Sequence, residues 1–253
     1  VGFIGYGTGQ IIRNLGVENV NITGYRRIGG FIGRANGVTI EKCYSTGTVH
    51  GNSDYVGGFV DAMAGSATIS NSYSTCNVTG AGALGGFYGN GGGAITNCYS
   101  TGSVSGSHMY GGFGAFDNLT VQNSFWDTET SGQTTGWNSA ALGVTGKTTS
   151  EMKTASTFTN AGRFQSVNEG DTVALYSGWL SSDWNMADGS YPTLNFGDNS
   201  GNTYSWASTD GAISLSDAAA KNPTFTAPDV SPGTPVDKTF TLTLSDGAGG
   251  TQT

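Results

Sequence analysis

Gly-Gly-Phe recurs at residues 29–31, 57–59, 85–87 and 111–113, at intervals of 28, 28 and 26 residues. Val1-Gly2-Phe3 stands 28 residues before the first of these, so the chain opens inside the pattern and reads as part of a longer protein. A second landmark keeps phase with the first. Segments 40–51, 69–80 and 95–106 each begin with Ile, carry Tyr-Ser-Thr in the middle, and close on Val, one further residue and Gly. A divergent copy runs from Val121 to Gly132, and Ile12 to Gly24 fills the same slot with one extra residue. A unit this short cannot bury its own apolar face, whereas neighbours laid over one another can.

Each unit reads as short strands. Val, Ile, Tyr, Phe and Thr favour the pleated chain, while Asn36-Gly37 and Asn90-Gly91 are turn dipeptides between the landmarks. Gly, Ser, Thr and Asn are all poor in helix interiors. At about 3.3 Å per residue one unit traces roughly 90 Å, which suits a coil of a parallel β-helix with two or three flat sides. Five coils at about 4.8 Å spacing make a rod of about 24 Å. Like positions then form columns: Ile40, Ile69, Ile95 and Val121; Val49, Val78 and Val104; Phe31, Phe59, Phe87 and Phe113; Tyr44, Tyr73, Tyr99 and Phe125. The paired glycines before each Phe mark a tight bend or a close approach between coils. Cys43 and Cys98 share one column with Ser72 and Ser124, two coils apart and beyond the roughly 7 Å that a disulfide spans. With Cys76 at the Gly of a Ser-Thr-Gly step, the thiols read as small filling residues rather than nucleophiles or metal ligands, and His50 and His108 sit at turn-like positions.

After Gly132 the period stops. Residues 133–200 carry a short helix near Glu151 and Met152, with Thr149 or Ser150 as its N-cap, and bulky Trp179, Trp184 and Tyr191-Pro192. The open end of a solenoid needs a cap, and this stretch is expected to supply it, its Trp and Phe covering the last coil. Residues 201–253 change style again. Thr203–Ala207 and Phe240–Ser245 read as strands around the segment 222–228, as in a partial β-sandwich whose Pro223 and Pro228 mark strand borders. The fold class is thus all-β: a parallel β-helix in 1–132, a cap in 133–200 and a partial Ig-like module in 201–253.

Charge follows the same division. Residues 1–120 hold five acidic and five basic side chains, so the net charge of -8 belongs wholly to 121–253. Such a balance argues against a grip on nucleic acid, which needs a concentrated basic footprint. No run of 18 apolar residues suggests a membrane span.

The coils resemble GLUG-motif repeats of bacterial surface and secreted proteins, including adhesin-like proteins and the non-catalytic parts of IgA-specific proteases. The resemblance lies in Val56-Gly-Gly-Phe-Val60 followed by 67–75, and in Leu84-Gly-Gly-Phe87 followed by 95–102. Residues 125–133, 147–153 and Tyr191-Pro192 are similar to the ending of such arrays, while Phe for the frequent Leu and Cys76 for Gly depart from it. The tail, through Tyr204-Ser-Trp206, 223–228 and 244–247, is similar to PKD or cadherin-like modules. The resemblance implies a structural or adhesive stalk segment outside the cell or on its surface, joined to neighbouring domains, with glycan or protein as partner. It carries no catalytic residues, no metal site and no cofactor.

Two other classes compete. A carbohydrate-active β-helix enzyme needs two carboxylates about 5–9.5 Å apart. Asp54 and Asp61 flank a Gly-Gly-Phe bend, and Asp127 and Glu129 stand two apart on an expected strand. A lyase also wants a basic residue beside the acids, yet Arg13, Arg26, Arg27 and Arg34 crowd toward the start. An ice- or surface-binding face needs a Thr ladder; Thr46, Thr75 and Thr101 align, but Asp127 takes the next rung. Asp210-Gly211 and Asp246-Gly247 offer oxygens suited to calcium, though turn roles explain the same residues better and no metal is assigned.

Overall fold

The computed structural model describes residues 1–53, 55–108, 110–116, 119–137, 143–159 and 179–196, and the backbone of strands Thr203–Ser208, Phe240–Ser245 and Thr251–Gln252. The chain divides into two units, Val1–Phe196 and Gly197–Thr253.

Unit 1 is an all-β, mostly parallel β-solenoid of about four turns. One wall carries four strands, Ile4–Thr8, Ile32–Asn36, Val60–Ala64 and Tyr88–Gly91, stacked in that order. Another four-stranded wall stacks Ile28–Gly29, Tyr55–Gly57, Ala83–Gly85 and Tyr110–Gly111. The third is built on Ile11–Gly24 and Thr39–Gly51 and the shorter strands beneath them. Register follows the repeat, with Ile40 on Ile69, Ile69 on Ile95, and Ile95 on Val121. Val49 lies on Val78 and Val78 on Val104. Two walls with four strands make one turn fewer than the five that counting repeats suggests, because the first and last units each lack a strand on one side. Gly37 turns one corner with a positive φ of 63°.

Two columns of side chains explain the paired glycines. Phe31, Phe59, Phe87 and Phe113 stack almost parallel inside the coil, with ring centroids 4.7, 4.8 and 5.0 Å apart. Opposite them Ser45, Ser74 and Ser100 are wholly buried. Ser45 donates to the Gly58 carbonyl at 2.9 Å and Ser100 to that of Gly112 at 2.7 Å. This seam divides the interior into a large core around the Phe ladder and a smaller one of Ile28, Val56 and Leu84 against Val49, Val78 and Val104. Along it the coils approach too closely for a side chain. A Cβ on Gly30 or Gly58 would fall 2.2 Å from the carbonyl oxygen of the glycine one coil on.

The coil architecture outlasts the sequence period. Thr135-Gly136-Trp137 continues the Gly-Gly-Phe wall, since Gly112 N donates to Thr135 O at 2.9 Å and Phe113 N to Gly136 O at 3.0 Å. Trp137 is buried and meets Tyr88 and Phe113 edge-on. The boundary expected at Gly132 therefore falls within a coil, as residues 133–137 belong to the last one. Val144–Lys147 then adds a parallel strand to Ser124–Asp127.

Three short helices follow or interrupt these strands: α1 (Thr128–Ser131), α2 (Thr149–Met152) and α3 (Ala155–Thr159). The N-cap of α2 is Thr148, not Thr149 or Ser150, which lie inside the helix. Thr148 accepts from Glu151 N while the Glu151 carboxylate accepts from Thr148 N, a reciprocal capping box. Residues 179–196 do not sit across the end of the stack as one lid. Trp179 reaches Phe125 in the last coil, but Trp184 packs on Tyr73 and Phe196 on Tyr44, so the segment runs along the flank. No separate cap stands out among the described residues.

In unit 2, Thr203–Ser208 pairs antiparallel with Phe240–Ser245, which pairs antiparallel with Thr251–Gln252. Both strands read from the sequence are present. Among the described residues they form one three-stranded sheet and no Ig-like sandwich, and residues 222–228 lie outside those described.

Candidate functional site

The three thiols are free and buried, and their chemistry is that of core residues. Burial pushes Cys43 up to about 12 despite backbone hydrogen bonds that pull it down, and it raises Cys76 and Cys98 as well. Thiolate, the reactive form, is thereby suppressed. Each rung of the column that holds Cys43 and Cys98 makes the same bond: Cys43 to Glu41 O, Ser72 to Ser70 O, Cys98 to Thr96 O and Ser124 to Gln122 O. Ser and Cys alternate because either can donate there.

A second periodic signal lies one residue earlier. Asn14, Lys42, Asn71, Asn97 and Asn123 all take left-handed backbone, with φ between 46° and 56°. Asn tolerates this region better than most residues. Ile or Val, one further residue and Asn recur at this corner in the sequence, and of these five coils only the Lys42 coil lacks the Asn. There the Lys42 ammonium lies 2.7 Å from the Asp183 carboxylate.

Of the two candidate carboxylate pairs, only Asp127 and Glu129 lie wholly within the described residues. Asp61 is wholly buried on Val60–Ala64, whereas Asp127 ends Ser124–Asp127 on a different wall. Asp127 and Glu129 do not share a strand either, because Asp127 is the N-cap of α1. Its Oδ1 accepts from Glu129 N at 2.9 Å and Thr130 N at 3.0 Å, Thr149 donates to both oxygens, and Tyr191 donates to Oδ2 at 2.6 Å. Burial raises this carboxyl, but the bonds from Tyr191, Thr130, Thr149 and Glu129 outweigh it and hold the group below the usual carboxylate value. A carboxylate so fully occupied ties α1, α2 and the 179–196 segment together. Glu129 accepts from Thr149 N at 2.8 Å, completing the knot. Asp54, Asp210 and Asp246 lie outside the described residues.

His50 bonds Thr79 Oγ1 at 2.8 Å and Asn52 Oδ1 at 3.0 Å through its two ring nitrogens, and His108 is exposed. Among the described residues no group of three His, Cys, Asp or Glu could hold a metal ion, and no helix is long and apolar enough to cross a membrane. Thr46, Thr75 and Thr101 are half-buried and the next rung is the buried Asp127, so no flat Thr face forms.

What remains outward-facing and periodic is a wall of polar side chains. Asn21, Thr48, Asn77 and Ser103 form one exposed column, with Thr23, His50, Thr79 and Ser105 beside it. Thr48 donates to Asn21 Oδ1 at 3.2 Å and Ser103 to Asn77 Oδ1 at 3.0 Å, which orders the ladder while leaving capacity toward solvent. The face carries neither Asp, Glu, Lys nor Arg.

Residues 24–49 match the GLUG motif. The matched stretch contains the Gly29-Gly30-Phe31 bend and the strand that carries Ile40, Tyr44 and Val49, so the GLUG coil is one turn of the solenoid. Phe59 and Phe87 repeat its bend, and the GLUG landmarks coincide with the seam where backbone meets backbone. No curated protein and no solved structure matches the chain.

Proposed function

We propose that unit 1 is a non-catalytic structural or adhesive segment of a secreted or cell-surface bacterial protein, and that any partner, glycan or protein, meets it on the Asn21–Ser103 and Thr23–Ser105 wall. The observation that carries this reading is the GLUG coil repeated into a solenoid whose acids and thiols are committed to holding the fold. A charge-free face of hydroxyls and amides suits neutral sugars or a polar protein surface. Under the enzyme reading two carboxylates share a groove and face a substrate; Asp127 is instead taken up as the N-cap of α1 and by Thr149 and Tyr191, which favours the scaffold. The test is a glycan array and a surface-display assay of the parent chain, each with the Asn77→Arg variant. Binding abolished by that variant supports the adhesive form, and normal display with no ligand supports the spacer form. Turnover of any polysaccharide that survives Asn77→Arg defeats both.

A further inference from the structure

Outside the coil, the rungs Tyr44, Tyr73, Tyr99 and Phe125 are covered by aromatic side chains of 179–196 and by Phe158 of α3, and Tyr99 meets Trp179, Trp184 and Tyr191 together. Ring centroids lie 6.4 Å apart for Tyr44 and Phe196, 6.3 Å for Tyr73 and Trp184, 6.2 Å for Tyr99 and Trp179, and 5.3 Å for Phe125 and Phe158. The ladder and its covering strap end together. The rung before Tyr44 is Gly16, over which the Tyr44 ring lies so closely that a Cβ there would be 2.2 Å away.

The coils and the strap are attached by different means. Coil holds coil through parallel backbone ladders on three walls. The strap's own strands pair with each other, Trp184 with Leu194 and Asn185 with Thr193. It is tied to the coils through side chains: the Lys42–Asp183 ion pair, Asn71 to Asp183 at 3.3 Å, Tyr99 to Pro192 O at 2.6 Å and Trp179 to Asn123 O at 3.0 Å. It can therefore leave without breaking a backbone bond between coils. The chain also departs at a revealing place. Phe196 rests on Tyr44, and Val1 O accepts from Gly29 N in the same coil, so residues 1 and 196 lie at one end of the stack. At the other end Asp127 anchors Tyr191 and α2.

We propose that residues 179–196 form a mechanical latch, which a pull on the chain beyond Phe196 releases while the coils stay stacked. Such a pull first loads Phe196 at the Tyr44 rung, and every tie it meets on the coils is made by a side chain. Opening pays out length at low force and bares the Tyr ladder. The latch depends on contacts inside unit 1 and operates whether or not the polar wall binds a partner.

Single-molecule stretching of the full chain tests this, with handles on Ser105→Cys and Ser200→Cys. Ser105 is exposed on the polar wall, Ser200 precedes the strands of unit 2, and the three native thiols are buried and will not take a handle. The first event should lengthen the tether by roughly 75 Å less the folded span, the reach of residues 179–200 at about 3.4 Å each. A second event at higher force should follow as the last coil unwinds. Trp184→Ala and Lys42→Asn should each lower the force of the first event and leave the second where it was. Lys42→Asn keeps a residue suited to left-handed backbone, so it decides the matter if Trp184→Ala fails to fold. A single event of the combined length, or a first event indifferent to Lys42→Asn, overturns the latch.

Discussion

The inner Phe ladder and the outer Tyr ladder have almost the same geometry and opposite modes of burial. Phe31 to Phe113 stack at 4.7 to 5.0 Å, and Tyr44, Tyr73 and Tyr99 at 4.9 Å. The Phe column is sealed by the coil's own backbone, brought close by glycines that tolerate no Cβ. The Tyr column is sealed by a separate segment whose aromatic side chains lie over it. Stacking period alone makes a column; what covers the column decides whether it is part of the coil or an attachment to it.

Substitution separates the two. Phe59→Ala empties a fully buried site at the centre of the inner ladder and should cost about 3–5 kcal/mol in denaturant unfolding, with the coils failing as one. A cost under about 1 kcal/mol would show that the inner ladder is not the core. Gly58→Ala places a methyl 2.2 Å from Gly86 O and 2.7 Å from Ser74 Oγ, and should cost about 1–3 kcal/mol by overpacking in the same assay.

Asp127 tests the outer attachment through pH. Its folded pKa is depressed, so its contribution is complete above the ordinary carboxylate value near 4 and is lost as pH falls through the lower folded value. Asp127→Asn should flatten the acid limb of the pH–stability curve below about pH 4 and loosen residues 179–196, read as faster amide exchange there, with the coils unchanged. Faster exchange across the coils as well would erase the distinction. The smallest effect belongs to Cys43→Ser. Ser72 makes the same bond one rung on, so the change should cost less than about 1 kcal/mol, and none of the three thiols should react with a thiol reagent before unfolding.

The sequence disclosed what the repeat controls. The columns of Ile40, Val49, Phe59 and Tyr73 could be read from phase alone, because parallel stacking puts equivalent residues over one another. It did not disclose which column faces in. Ser45 and Tyr44 are neighbours with equal periodicity, and the buried one is the smaller and more polar, because a carbonyl from the glycine bend awaits its hydroxyl. The period also misled at its end. Trp137 occupies the aromatic rung 24 residues after Phe113, behind a single glycine, too altered a copy to be counted with the rest. The strap was legible as bulky apolar matter, yet its target was not, since Trp179 and Trp184 would suit an open end as well as a flank. Glu129 looked like a strand carboxylate because Ser124–Asp127 ahead of it is a strand; the helix that Asp127 caps is only four residues long.

The aromatic cover over the outer ladder has a consequence for how such a chain can vary. The inner core is indifferent to the number of coils, since each offers its neighbour the same backbone ladder. The flank is not. A turn added between the Tyr44 and Phe125 rungs would lengthen the ladder beneath a segment of fixed reach and leave a ring bare. The segment downstream of the repeats thus fits one length of array.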